Sequence, residues 1–487
     1  MVGMPGYTIG RRAVLRACAA GGLLLAAPLL AACGSTGANG ALTATMATMA
    51  TTATMAPASS VALSVSTTTG SASTTAQPAS SAAAAPAGAP GALSFWSMDD
   101  PTTGQHYKAW VQRIKDFNAA NPKSPAAIVN MSYSSVNTKL PAVVAAGTPP
   151  NVAEQDRYTI AAGAARSLMQ DISARANTAG IKGDDQQPWA WQEVAIKGKL
   201  YGLPTDTDSR MVFYNVNQLQ QVGLAKTTPK TLDDYAQIAQ KLTIKQGDSF
   251  KQIGFLPWYD NWGLFGFGWL FGGAFYDEQS GKATLDDPKN IAALDWLNNQ
   301  AKLVGYDPGQ AFIKARGAQG NLFQFQAIST YFQASASVHT YLDTSGLDWG
   351  VWPPPPPQGM AHTSTWSGGF CVVLPAGAKD PDPSFDLMRY LSDAPCQFLL
   401  AKLGLSLPTI KSVASDPYWN TVDPRVKQFV DILPYSHSRP AIPQINLMNT
   451  QLNTARADVL SGKKGAAEAL QEANQQVNLA IQQNRTS

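Results

Sequence analysis

Apolar positions along residues 92–487 recur with two periods, one typical of strands and one typical of helices. Residues 93–96 form a short apolar run that predicts a strand. Beyond Gln105, three large apolar residues recur at spacings of four and three, which predicts a helix with one apolar face: Trp110, Ile114 and Phe117. Segments of both kinds follow, with strands predicted at 127–131, 151–153 and 211–215 and a helix at 139–146.

Alternating strands and helices are typical of an α/β fold, in which crossover helices connect parallel strands. In such sheets a ligand lies beyond the carboxyl ends of the strands. The loops that begin at Ser97 and Glu154 each follow a predicted strand. We therefore expect both loops at the edge of the sheet where a ligand would bind.

The first 91 residues differ from the rest of the chain in composition. Between Arg16 and Asp99 lie 82 consecutive positions without Asp, Glu, Lys or Arg. Residues 10–16 resemble a twin-arginine export motif, and residues 30–34 resemble a bacterial lipobox around Cys33. We expect residues 1–33 to be an export signal and Cys33 to carry a lipid that anchors the protein to the membrane without spanning it. A plain secretory signal, an uncleaved anchor and the general secretory route are the alternatives.

Residues 34–91 consist mainly of Ala, Ser, Thr, Gly and Pro, which predicts a flexible tether because such a segment buries little apolar surface. The body beyond it is neutral. The formal charge of +3 comes from three arginines of the leader, and the remaining 33 basic residues balance 33 acidic ones. A neutral surface provides no positive field for phosphate, so a nucleic-acid partner is not expected.

Several motifs occur in an order that resembles a known family. They include GKLYGLPTDTDSRMVFYN at 198–215, PKTLDDYAQIAQKLT at 229–243 and SGGFCVVLPAGAKDP at 367–381. Together they resemble extracellular solute-binding protein family 1, the carbohydrate-binding lipoproteins that serve ABC importers. The resemblance covers nearly all of 92–487, although the five prolines 353–357 are unusual and the last seventy residues carry little motif.

The resemblance implies a type II periplasmic-binding-protein-like fold, with two α/β lobes, a hinge and a central cleft. Lobe one would comprise residues 92–204 and 368–405, and lobe two residues 205–367 and 406–487. The crossings would fall where Gly and Pro interrupt the pattern, as in many hinges. The implied function is capture of a sugar or oligosaccharide and its delivery to a membrane permease by a monomer that breaks no bond and needs no cofactor.

Residues 254–276 hold ten aromatic side chains interspersed with glycines. An aromatic ring removes the apolar face of a pyranose from water, while Asp, Asn and Arg bind its hydroxyls. We expect most of these rings, including Phe265, Phe267 and Phe271, to be core. The candidate ligand contacts in the whole chain are Trp96, Asp100, Asp156, Asp206, Asp208, Arg210, Tyr214, Trp258, Trp262, Trp366, Gly368 and Arg439.

Signs of catalysis are weak. The four histidines are far apart, none has metal-ligand spacing, and neither a nucleophile elbow nor a P-loop occurs. No enzyme and no metal are therefore expected. A secreted carbohydrate-active enzyme that uses an Asp pair and a surface lipoprotein that signals to a sensor partner remain the alternatives. Cys371 and Cys396 are expected to be buried thiols, with a disulfide as the alternative.

Overall fold

The computed structural model describes residues 91–102, 104–317 and 320–484, all within one compact unit. The predicted export signal, Cys33 and the tether up to residue 90 lie outside the described residues. The strands are β1 (Leu93–Ser97), β2 (Ala126–Asn130), β3 (Val152–Asp156), β4 (Ala195–Ile196), β5 (Lys199–Leu200), β6 (Leu203–Pro204), β7 (Arg210–Asn215), β8 (Ile244–Gln246), β9 (Ser249–Gln252), β10 (Tyr276–Asp277), β11 (Lys282–Ala283), β12 (Thr330–Ala334), β13 (Trp349–Trp352), β14 (Thr365–Trp366), β15 (Phe370–Val373) and β16 (Ser436–His437).

The helices are α1 (Gln105–Ala120), α2 (Tyr133–Ala145), α3 (Ile160–Ala165), α4 (Ser173–Thr178), α5 (Pro188–Gln192), α6 (Val216–Gln221), α7 (Leu232–Lys241), α8 (Gly263–Leu270), α9 (Pro288–Val304), α10 (Tyr306–Gly317), α11 (Val338–Leu342), α12 (Pro381–Tyr390), α13 (Ala394–Gly404), α14 (Lys411–Ala414), α15 (Pro424–Asp431), α16 (Ile445–Leu460) and α17 (Ala466–Gln482). In the ranges that the structure describes, no helix combines the length and apolar character needed to cross a membrane.

Lobe one is built on a five-stranded sheet in the order β2-β1-β3-β15-β6. The first three strands are parallel, whereas β15 runs antiparallel to both β3 and β6. Phe95 of β1, Trp110 of α1 and Val372 of β15 are fully or almost fully buried in one core. The polar side chains that follow β1 and β3 therefore lie at one edge of a rigid sheet.

Lobe two is built around the antiparallel sheet β12-β7-β13. Alternate residues of β7 enter two different cores: Val212 packs among the rings of α8 and the helix α16, while Met211 and Phe213 pack on the opposite face. Because β7 is buried on both faces, its sequence is a nearly continuous apolar run.

Three crossings connect the lobes. The first runs from β6 to β7 (205–209), the second from β14 to β15 (367–369), and the third follows α13 (405–407). The backbone of Thr207 exchanges hydrogen bonds of 2.7 and 3.1 Å with Leu407, and the amide of Asp208 donates to the carbonyl of Gly368 at 3.2 Å. The crossings thus lie side by side, with the first in the middle. The sequence-based lobe boundaries fall within these segments.

Two expectations need correction. The expected parallel arrangement holds for β2, β1 and β3, but β15 and the main sheet of lobe two are antiparallel. The reason is the crossings: β15 and β7 each begin at the interface between the lobes and run away from it, against strands that end there. Helix α2 begins at Tyr133 rather than near Lys139, because the side chain of Ser132 caps it by accepting from the amide of Ser135.

Candidate functional site

Trp366 ends β14 directly before the second crossing, and two cations lie around its ring. The guanidinium carbons of Arg210 and Arg439 are 3.3 and 5.1 Å from the ring centroid. The indole Nε1 donates to the carbonyl of Trp262 at 2.9 Å. These contacts fix the ring where the lobes meet.

Each of the two arginines is paired with a carboxylate. Asp208 lies 2.7 Å from Arg210 and also accepts the amide of Gly368 at 2.6 Å. Asp156, at the end of β3, lies 3.4 Å from Arg439. We call the following set the cleft cluster: Tyr133, Asp156, Tyr158, Asp208, Arg210, Trp366 and Arg439.

The tyrosines of the cleft cluster come from the first turns after Ser132 and Asp156. The hydroxyl of Tyr133 donates to Asp156 at 3.3 Å, yet the side chain of Tyr133 is still exposed. Tyr158 stacks under the guanidinium of Arg439, 3.9 Å from ring to carbon. The Nε of Arg439 is buried and has no hydrogen-bond partner among the described residues. The cluster thus combines exposed aromatic surface with unused hydrogen-bonding capacity.

Burial governs the electrostatics of the cluster. It raises the pKa of Asp156, although Arg439 and Arg157 counteract the rise. It also lowers the pKa of Arg210, against the charge of Asp208. The polar groups therefore lie in a medium of low effective dielectric, where each hydrogen bond to a ligand is stronger than in water.

Arg157 binds the crossings to lobe one. Its side chain is fully buried and forms an ion pair with Glu193 at 3.0 Å. The same guanidinium donates to the carbonyl of Gly368 at 2.6 Å and to the carbonyl of Asp206. One side chain therefore holds the first and second crossings together.

Gly369, in the second crossing, has a φ of +135°. A Cβ at this position would lie 2.6 Å from Arg157 Nη1 and 2.7 Å from the carbonyl oxygen of Asp206. Both the conformation and the space require glycine. Close packing of the crossings thus explains Gly369, whereas a Cβ at Gly368 would make only ordinary contacts of 3.6 Å or more.

Asp206, in the first crossing, binds to the third crossing and to the start of β15, directly after the second crossing. Its Oδ1 accepts from the amide of Phe370 at 2.8 Å, and its Oδ2 accepts from Ser406 at 3.3 Å. Burial raises its pKa, and the nearby charge of His106 opposes this. Asp206 lies in the same crossing as Asp208 of the cleft cluster, and the crossing connects it to that cluster.

The remaining five candidate ligand contacts lie elsewhere. Trp96 is buried in the core of lobe one, and Trp262 is fully buried in lobe two. Asp100 is exposed and accepts from Thr102 in a turn. Tyr214 stacks on Trp352 at 4.1 Å at the end of β7 remote from Arg210. Trp258 packs against Tyr306 at 5.0 Å. In this conformation none of the five lies in the cleft cluster.

The aromatic segment 254–276 is chiefly core, as expected. Phe265 and Phe267 are buried, and Phe271 packs partly buried against the same core. The part that reaches the cleft cluster is Asn261, which is exposed and whose carbonyl accepts from Arg210 Nε at 2.7 Å. Cys371 and Cys396 are both buried free thiols, which confirms the expected state.

The sequence interpretation missed Tyr133, Arg157, Glu193 and His106. A signal existed for Arg157, because Glu154-Gln155-Asp156-Arg157 is a dense polar run at the end of a predicted strand. Tyr133 was missed because the start of α2 was placed too late. Glu193 had no local signal, since its partner Arg157 is distant in sequence, and of the two partners of His106 only Asp99 is near in sequence.

A cavity of about 330 Å³ lies beside the cleft cluster, on the other side of Tyr158. Its lining includes Asn137 and Arg166 of lobe one and Asn446 of lobe two. A cavity of about 410 Å³ between α7 and α9 contains none of the cluster residues. The first cavity is therefore the one that a ligand in the cleft would adjoin.

Comparison with known proteins identifies the family and the fold. Residues 112–426 match the bacterial extracellular solute-binding proteins, and the chain belongs to that family. A probable ABC transporter-binding protein of Deinococcus radiodurans is 26% identical over 316 residues, which are 62% of this chain and 73% of the relative. A maltooligosaccharide ABC transporter solute-binding lipoprotein of Streptococcus pneumoniae is 25% identical over 59% of this chain and 67% of its own length.

Among solved structures, CpMnBP1 with bound mannotriose superposes with a TM-score of 0.68 at 21% identity, covering 79% of this chain and 99% of that protein. The fold is the type II periplasmic-binding-protein fold, with two lobes, a hinge and a cleft between them, as the sequence predicted.

Proposed function

We propose that the protein captures a neutral sugar or oligosaccharide in the cleft and delivers it to the permease of an ABC importer. The observation that carries the proposal is the cleft cluster, in which aromatic rings and paired charges converge where the crossings meet. The family membership of the protein and its sugar-binding relatives support the same function.

The charges of the cleft cluster favour a neutral ligand. Asp156 pairs with Arg439, and Asp208 pairs with Arg210, so each carboxylate is matched by a guanidinium. A charged ligand would compete for one partner and leave the other poorly compensated at a half-buried site, which is costly. A sugar hydroxyl both donates and accepts, so it can donate to the carboxylate and accept from the guanidinium while the two stay paired.

Tyr133 is the proposed stacking platform for a pyranose face, because its ring is exposed and lies next to Asp156. Binding closes the lobes about the crossings as a population shift, driven by the tighter contacts of the ligand in the closed state. No bond is broken. We further propose that the protein works as a monomer on the outer face of the cell membrane, anchored by a lipid on Cys33.

Isothermal titration of the full-length protein with maltotetraose, mannotriose, glucose and glycerol 3-phosphate tests the proposal. At least one neutral sugar is expected to bind, without products, and to bind more tightly than glycerol 3-phosphate. Absence of binding across the neutral sugars, or product formation from an oligosaccharide, would contradict it.

A pair of variants tests the place of binding. Tyr133→Ala is expected to weaken binding about tenfold or more, since stacking and lost burial of one ring are worth roughly 1–3 kcal/mol. Phe325→Ala is the matched control, because Phe325 is also exposed but lies next to Gln326, which contacts Asn215 at the remote end of β7. Equal effects of the two variants would refute the assignment.

A further inference from the structure

His106, at the start of α1, is joined to the crossings by a continuous chain of polar contacts. Its Nδ1 lies 3.5 Å from Asp99, and its Nε2 lies 2.5 Å from the hydroxyl of Ser406 in the third crossing. Ser406 lies 3.3 Å from Asp206 in the first crossing, and Asp206 accepts the amide of Phe370 from β15. The imidazole thus contacts the third crossing directly and, through Ser406 and Asp206, the first crossing and the start of β15, directly after the second crossing.

The protonation state of His106 decides whether every group in this series of polar contacts has a hydrogen-bond partner. A charged imidazolium donates from Nδ1 to Asp99 and from Nε2 to Ser406, and the hydroxyl proton of Ser406 is then free to donate to Asp206. A neutral ring that keeps its proton on Nδ1 must accept at Nε2. Ser406 then donates to the ring, and its oxygen faces the Asp206 carboxylate without a proton between them.

While the ring is charged Ser406 is not an activated nucleophile, although Asp99, His106 and Ser406 are the residue types of a hydrolytic triad. A base must accept the hydroxyl proton, whereas the charged ring donates to that oxygen. The arrangement is instead that of a structural relay.

Other groups around the ring favour the charged form. Glu154 of β3 faces the ring together with Asp99 and Asp206. His339 of α11 is the neighbouring group whose positive charge would oppose that of His106. The end of α13 packs against the ring, where a Cβ at Gly404 would lie 2.2 Å from the imidazole Cδ2. The ring therefore has little freedom to leave its three acidic neighbours.

We propose that the His106 imidazolium is a positioning residue that sets the equilibrium between open and closed lobes by fixing the three crossings against lobe one. The proposal deepens the proposed sugar-capture function and rests on it. Loss of the proton would loosen the relay and weaken capture without changing any group in the cleft cluster.

The titration range follows from the surroundings. Burial alone would lower the pKa of His106, but the hydrogen bond with Asp99 and the charges of Asp206 and Glu154 outweigh it and raise the pKa to about 9. Because this pKa is above the unfolded value of about 6.5, the stabilisation is full below pH 6.5 and is lost as pH rises through 9.

The test compares wild type, His106→Gln and Ser406→Ala across pH 6–10, with His362→Gln as control because His362 is exposed on lobe two. Maltotetraose and mannotriose affinity, melting temperature and the ligand-free radius of gyration from X-ray scattering are measured. The wild type is expected to lose about fivefold or more in affinity between pH 7 and 10. His106→Gln and Ser406→Ala should be weak at pH 7 and nearly flat with pH, and their double variant should be no weaker than either.

The outcomes separate this proposal from the proposed function. If neither sugar binds, the sugar proposal fails for these probes, while the melting and scattering profiles still test the relay. A melting-temperature gap between wild type and His106→Gln that does not narrow from pH 6 to 10 would overturn the inference. The inference would also be overturned if the affinity losses of the two single variants added up in the double variant, or if Ser406→Ala showed the same pH profile as the wild type.

Discussion

Replacing Arg157 by methionine should show how strongly the crossings depend on one buried cation. The side chains of Arg157 and Glu193 are 0% and 1% exposed and 3.0 Å apart. Removing the guanidinium leaves Glu193 without its partner, and the Glu193 Oε1 already has no hydrogen-bond partner among the described residues. Loss of one member of a buried pair costs about 3–5 kcal/mol, and the carbonyls of Asp206 and Gly368 also lose a donor.

Urea unfolding followed by tryptophan fluorescence measures this loss. Arg157→Met is expected to lower the free energy of unfolding by about 3–5 kcal/mol. Adding Glu193→Met should recover part of this loss, because the unpaired charge is removed. The remaining loss of about 1–3 kcal/mol reflects the two carbonyls that lack a donor. Arg175→Met is the control, since Arg175 pairs with Asp382 at an exposed site and should cost no more than about 1 kcal/mol.

Two results would refute this reasoning. One is a loss in Arg157→Met no larger than that in Arg175→Met. The other is a double variant that is less stable than Arg157→Met alone, because the cost would then not come from a stranded carboxylate.

The other predictions concern the hinge and the leader. Gly369→Ala should cost about 3–5 kcal/mol by thermal or urea unfolding, since it combines backbone strain with a steric clash. Gly180 has a φ of +69° but open space around it, so Gly180→Ala should cost only about 1–2 kcal/mol. Equal costs of the two variants would contradict the close packing of the crossings. Cys33→Ser should move the protein from the membrane fraction to the soluble fraction and abolish incorporation of labelled fatty acid, whereas unchanged fractionation would contradict lipid anchoring.

Local patterns in the sequence were sufficient for several of the elements, whereas the order of the lobes came from the resemblance to the family. The apolar run at 93–96 and the spacing of Trp110, Ile114 and Phe117 correspond to β1 and α1. They could not show strand direction, because direction depends on which side of the interface a strand enters. Phe370 begins β15 opposite Asp156, where β3 ends, so the two strands run antiparallel.

The candidate site was partly predictable for a similar reason. Asp156, Asp208, Arg210 and Trp366 were identified as polar or aromatic residues beside a predicted strand end or crossing, and Arg439 as a residue of the last segment that would reach the cleft. Trp96, Trp262 and Tyr214 fit the same local description but point into a core or stack at a remote strand end. Residue type and position near a boundary do not determine the side of the strand or helix on which a side chain lies.

Burial divides the aspartate, glutamate and arginine pairs at the crossings into two roles that the sequence does not distinguish. Arg157 and Glu193 are essentially inaccessible, so exchange of their partners would strand a charge in the interior and is not available to a ligand. Arg439 and Asp156 are 12% and 16% exposed and 3.4 Å apart, so a ligand hydroxyl can reach both from the cleft side. We therefore expect the inaccessible pair to keep its contacts when a ligand binds and the accessible pair to be the one whose contacts change.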